Sequence, residues 1–259
     1  MSDALRFFVR PSLRDAPLLL AFGGWNDAGE AATTALRYIA MHAGSVPLAE
    51  IDCEDFFDFT VERPQVGFGE DGARRVAWPH TIFRYGSMDP AREIVLGWGP
   101  EPHLRWRRYC DCVVDLVRRL ELRRVVLLGA YLADVVYSRP VGVSGFSSDP
   151  GRLGGLGVAA SDYEGPTGIP GVLGDRLASE GVEFTSLWAG LPHYIGVSPN
   201  PRGALALLEK LQPAIGLRLD LEPLRTDAAR FEEKISALVA EDPELGEYVR
   251  QLKRRDFAQ

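Results

Sequence analysis

Two stretches of this chain set reactive side chains among turn-forming residues. Tyr163-Glu164-Gly165-Pro166-Thr167-Gly168-Ile169-Pro170-Gly171 carries a carboxylate and a hydroxyl, and Leu187-Trp188-Ala189-Gly190-Leu191-Pro192-His193-Tyr194 adds an imidazole. Polar chemistry between glycines suits a binding crevice, because glycine lets a ligand approach backbone N–H groups closely. Glu164 and Thr167 flank Gly165-Pro166. They fit two roles equally, orienting a ligand's polar groups or satisfying one another in an ordered turn. His193 is open in the same way, as an acid–base group or as a hydrogen-bonded structural residue.

Further candidates lie upstream. In Gly23-Gly24-Trp25-Asn26-Asp27-Ala28-Gly29, the residues Gly23, Gly24, Asn26 and Asp27 could hold an anion against a helix N-terminus. The segment matches neither the phosphate-binding loop nor the dinucleotide fingerprint, and a tight turn with Asn26 or Asp27 as helix cap is the favoured reading. Glu101 sits between Pro100 and Pro102 at the expected first turn of a helix, where the dipole favours a carboxylate. Asp134 follows a buried strand, near enough to Arg139 for an ion pair. There is no Gly-x-Ser-x-Gly elbow for serine catalysis and no cysteine or histidine spacing for a metal, so neither a metal nor a cofactor is expected.

The elements that must position these groups alternate. Pro17–Phe22 is an apolar run ending in Gly23-Gly24, as a strand buried on both faces reads, and a helix follows to about His42. Strands are predicted at Val46–Ile51, Phe56–Val61, Arg74–Trp78, Ile82–Tyr85 and Ile94–Trp98, then a helix from about Leu104 to Leu120. Val125–Ala130, Val141–Phe146 and Val182–Leu187 complete the strands, with a helix over about Pro170–Glu180. Repetition of strand, glycine turn and helix implies an α/β fold with a mostly parallel central sheet, whose ligands sit beyond the carboxyl ends of the strands. After Pro199-Asn200-Pro201 only helical periodicity remains. The expected division is an α/β core over residues 1–212 and a helical C-terminal appendage over 213–259, with Asp242 capping and Pro243 opening its last helix.

Bulk properties exclude some functions. A net charge of −7 disfavours sequence-independent nucleic-acid binding, which runs on clustered Lys and Arg. Cys53, Cys110 and Cys112 cannot all pair internally, so reduced thiols are expected. The opening residues Met1-Ser2-Asp3-Ala4-Leu5-Arg6 lack a signal peptide's apolar core, and no apolar run approaches the roughly 20 residues of a membrane helix. A cytoplasmic protein without membrane partners is the expectation.

Ala21-Phe22-Gly23-Gly24-Trp25-Asn26-Asp27-Ala28-Gly29, Gly99-Pro100-Glu101-Pro102, Tyr163–Ile169, Ser186–Ala189, Pro192-His193-Tyr194 and Pro199-Asn200-Pro201 together resemble the proteasome-assembly-chaperone family in its bacterial branch. The resemblance spans residues 18–212 and extends to the helical tail. It implies a three-layer α/β/α core similar to nucleoside phosphorylases and hydrolases, homo-oligomers (trimers first), and proteasome α subunits as partners. Two departures stand out. The branch's Pro-His-Thr-Arg-Pro is Val136-Tyr137-Ser138-Arg139-Pro140 here, and the chain ends Asp256-Phe257-Ala258-Gln259 rather than in hydrophobic-Tyr-X. Two functions remain open: a non-enzymatic assembly chaperone, or a small-molecule binder or phosphorylase/hydrolase-like enzyme working at the crevice.

Overall fold

Leu18 to Phe22 are all buried, and their side chains divide between two separate cores. Leu18, Leu20 and Phe22 point into one and Leu19 and Ala21 into the other, as the two-residue period of a strand dictates. A strand buried on both faces needs a helical layer on each side.

The structure is a computed structural model and describes residues 4–89 and 92–256. In chain order it begins with β1 (Leu5–Phe7), β2 (Leu18–Gly23), a 3-10 turn at Ala28–Glu30, α1 (Ala31–His42) and β3 (Val46–Ile51). The hairpin β4 (Gln65–Phe68) and β5 (Arg74–Ala77) precedes β6 (Thr81–Asp89), β7 (Arg92–Pro100), α2 (Trp106–Arg119) and β8 (Arg124–Ala133). Then come β9 (Val143–Ser147), α3 (Pro150–Gly155), β10 (Ala159–Ala160), α4 (Ile169–Ser179) and β11 (Glu183–Pro192). The helices α5 (Pro201–Ile215), α6 (Glu222–Glu241) and α7 (Pro243–Asp256) close the described chain.

The main sheet runs β1-β3-β6-β7-β2-β8-β11-β9-β10. Its middle, β7-β2-β8-β11, is parallel, so these four strands end on the same side. Antiparallel pairings at β6–β7 and β9–β11 extend the sheet outward. On one face α2 and α4 pack through Tyr109, Val113, Leu116, Leu173 and Leu177; on the other, α1 and α5 pack through Leu36, Ile39, Leu207 and Leu208. This is the α/β layering expected from the alternating pattern. Each fully buried leucine contributes about 1.5–3 kcal/mol relative to exposure. Cys110 and Cys112, two apart and so on different sides of α2, are both completely buried, because the helix packs against α4 as well as into the first core.

One expected strand is absent. Phe56–Val61 forms turns, in which the Asp58 carboxylate accepts from the Thr60 N–H at 2.8 Å and its hydroxyl at 2.6 Å. Its aromatic residues favour a strand, but local side-chain-to-backbone bonding wins. Phe56 instead fills a buried aromatic cluster, 5.3 Å from the Tyr109 ring, and the Tyr109 hydroxyl bonds Thr81 Oγ1 at 2.5 Å.

Candidate functional site

The loops leaving β7, β2, β8 and β11 stand in a row along one end of the sheet, because those four strands are adjacent and parallel. The structure draws the candidate residues into two clusters along that row.

The first surrounds Asn26. Gly24 turns the chain after β2 with φ +88°, a conformation glycine adopts without steric cost. Its carbonyl accepts from Asp27 N at 3.1 Å, and the Gly23 carbonyl accepts from Glu101 N at 3.2 Å. Asp27, 5% exposed, heads α1: Oδ1 accepts from Ala32 N at 2.6 Å, and Oδ2 takes the Thr33 N–H at 3.1 Å and its hydroxyl at 2.6 Å. Of the two expected caps, Asp27 is therefore the one that works. Burial pushes its carboxyl above the usual carboxylate range, against the lowering effect of these hydrogen bonds.

Glu101 lies beyond the end of β7, before α2 begins at Trp106, so it is not in the first turn of that helix. Its Oε1 instead accepts from Ile169 N at 2.7 Å, at the head of α4. A carboxylate from a distant loop thus satisfies one of the orphan donors of that helix and complements its dipole. The contact demands glycine at 168, where a Cβ would sit 2.1 Å from Asn26 Oδ1 and 2.7 Å from Glu101 Oε1.

Asn26 is completely buried, and its main-chain carbonyl accepts from Ala130 N at 2.9 Å, joining this turn to β8. Neither Oδ1 nor Nδ2 finds a hydrogen-bond partner among the described residues. Burying an amide unpaired costs about 1–3 kcal/mol, so this side chain marks the spot where the first cluster is polar without being satisfied. Thr167 packs its hydroxyl beside Gly171, while Glu164 is exposed on a loop clasped by the Tyr163 hydroxyl, which donates to the Pro166 carbonyl at 2.9 Å.

The second cluster joins Asp134 and His193. His193 Nε2 is 3.0 Å from Asp134 Oδ1 and 2.8 Å from the Tyr248 hydroxyl. Tyr248 belongs to α7, and its ring packs edge-on against those of His193 and Tyr194 at 5.6 and 5.4 Å. Partial burial and the Asp134 carboxylate raise the Tyr248 phenol above its ordinary value. The imidazole nitrogen that would move a proton is thus already shared between two partners, and the cluster ties α7 to the ends of β8 and β11. Tyr137 strengthens the tie: its N–H donates to the Tyr194 hydroxyl at 2.9 Å, and its own hydroxyl donates to Ser236 Oγ on α6 at 3.2 Å. Neither Tyr248 nor Ser236 could be read from the sequence, because helical periodicity says nothing about which polar tip lands on which loop.

Among the described residues no group of metal-capable side chains gathers, and no helix is long and apolar enough to cross a membrane. The terminal Phe257-Ala258-Gln259 lies outside the described residues.

Comparison with known proteins places this geometry. The PAC2 family model matches residues 21–239. The crystal structure of a PAC2 family protein from Streptomyces avermitilis is similar at 39% identity and a TM-score of 0.84, covering 91% of this chain and 100% of that one. A Mycobacterium tuberculosis proteasome-assembly chaperone homologue is similar at 37% identity and 0.81, covering 90% and 99%. PbaB of Pyrococcus furiosus, an archaeal proteasome activator, shares the fold at 17% identity and 0.71, over 90% and 97%. No curated protein matches the sequence. Nearly the whole chain, from the β2 turn to the close of α6, thus carries one family's pattern, and the protein belongs to the PAC2 family.

Proposed function

We propose that this protein is a cytoplasmic, non-enzymatic interaction factor of the proteasome-assembly-chaperone type, working as a homo-oligomer, a trimer, on proteasome α subunits. The observation that carries the reading is full-length kinship with the mycobacterial chaperone homologue. The hairpin β4–β5 supports it. Val66 is 54% exposed and Phe68 77%, with Val76 and Trp78 also exposed nearby. An isolated two-stranded hairpin is marginal in water, and an apolar one suits cover by another chain.

A small-molecule role at the strand ends is the second reading, and the unpaired Asn26 amide is what favours it. Glu101, Glu164, Thr167 and His193 would then supply polar contacts, with Gly23, Gly24 and Asp27 shaping the turn.

Native mass spectrometry of protein purified gently from its own host tests both readings. The expected result is a trimer accompanied by α subunits, with recovery of those subunits at least about fivefold lower for Phe68→Asp. A host that contains a proteasome yet yields none of its subunits rejects the chaperone reading. A metabolite retained on a bare oligomer would support the second.

A further inference from the structure

A cavity of about 450 Å³ lies between the ends of β8 and β11 and the last two helices, within the size range that encloses small organic ligands. It is apart from the Asn26 cluster. Its apolar wall comes from Val136 and Val141 on one side and Phe231, Ile235 and Leu252 on the other. Three arginines, Arg139, Arg202 and Arg255, face it with one acid, Asp134. That balance is opposite to the chain's net charge of −7.

The charges are not equivalent. Asp134 is engaged by His193 and Tyr248. Arg202 donates to the Arg139 carbonyl at 2.7 Å and pairs with Glu232 at 3.4 Å. Arg255 forms no ion pair among the described residues. The backbone offers no phosphate cradle here: α5 opens at Pro201, which lacks an N–H, and Asn200 Oδ1 already accepts from Arg202 N and Gly203 N at 3.1 Å each. A guanidinium without an ion partner among the described residues, beside an apolar chamber, matches a single negative charge on an apolar body.

We propose that this cavity binds a small amphipathic monocarboxylic acid, its carboxylate at Arg255 and its hydrocarbon against Phe231, Ile235 and Leu252. Such a ligand would bridge α6 and α7 to the strand ends. The proposal goes beyond the chaperone reading and stands whether or not a proteasome subunit is bound.

Isothermal titration of the full chain with octanoate, 1-octanol and acetate tests it. Octanoate is expected to bind one per chain, about tenfold or more tighter than octanol, which lacks the charge, or acetate, which lacks the body. Arg255→Ala, on an exposed residue, should weaken octanoate at least about tenfold and leave octanol unchanged. Gly142→Phe should abolish both, because a Cβ at that cavity-lining position meets no heavy atom within 4 Å and the new ring fills the chamber. No octanoate binding, octanoate no tighter than octanol, unchanged octanoate affinity in Arg255→Ala, or full octanoate affinity in Gly142→Phe overturns the proposal.

Discussion

Asp27 spends a buried charge to start a helix. Its carboxylate takes three donors from Ala32 and Thr33, yet burial still lifts its pKa above the unfolded value. The native state therefore holds more protons than the unfolded state between the two values, and stability falls as pH rises through that window. Above it the burial cost is fully present; below it the cost is relieved. Asp27→Asn does not titrate, so wild type should gain stability relative to this variant as pH falls from 7 through the carboxylate range. Urea unfolding across that range measures the difference, and a difference of opposite slope would mean that the hydrogen bonds outweigh burial. Asp27 was legible as a cap because Asp before a periodic apolar run is a local signal. The unpaired state of the Asn26 amide was not, since it depends on Gly168, far away in the chain and tight against it.

At the scale of elements, α4 depends on a cap that its own sequence does not contain. Glu101→Ala removes the acceptor of Ile169 N and should cost about 1–2 kcal/mol, read as a lower urea midpoint with unchanged slope. Glu101→Gln keeps an oxygen there and should recover a good part of that loss. An alanine variant as stable as wild type would mean that water replaces the carboxylate freely. The parallel strands were readable because each is a continuous apolar run followed by a glycine turn. The short pieces were not: β1 has three residues and β10 two, too few to show a period. The helix α3 did carry a signal, Asp149 before Pro150, and Asp149 Oδ1 does accept from Gly151 N at 3.1 Å. Half of the hairpin was legible, since the strand expected at Arg74–Trp78 forms as β5, whereas β4 escaped for another reason. All its residues are exposed, so no buried face imprints an alternation.

For the whole molecule, we propose that residues 213–259 form an appendage to a 1–212 core. In α6 only Leu224, Ala228 and Ile235 are buried, and α7 contributes Val249 and Leu252. Contacts this sparse should let α7 open locally. Amide hydrogen exchange in α7 should be at least about tenfold faster than in β8 and β11. Equal protection would make the chain one cooperative unit and remove the division. The cavity proposed to take a carboxylate was invisible in the sequence, since its walls come from 134–142, 190–202 and 231–255, and no local pattern links three such segments.

The place of β2 in the sheet also governs how the chain reaches its fold. Leu18 pairs with Val95 on one side and with Val125 on the other, so the most apolar strand is made early and its neighbours arrive late. Until β7 has left the ribosome, Leu18–Phe22 has neither flanking strand to hydrogen-bond, and until β8 follows it has only one. Pairings this distant in sequence close slowly, and a strand apolar on both faces is prone to aggregate while it waits. A protein whose kin include chaperone homologues thus carries, in its own nascent chain, a segment that needs shielding.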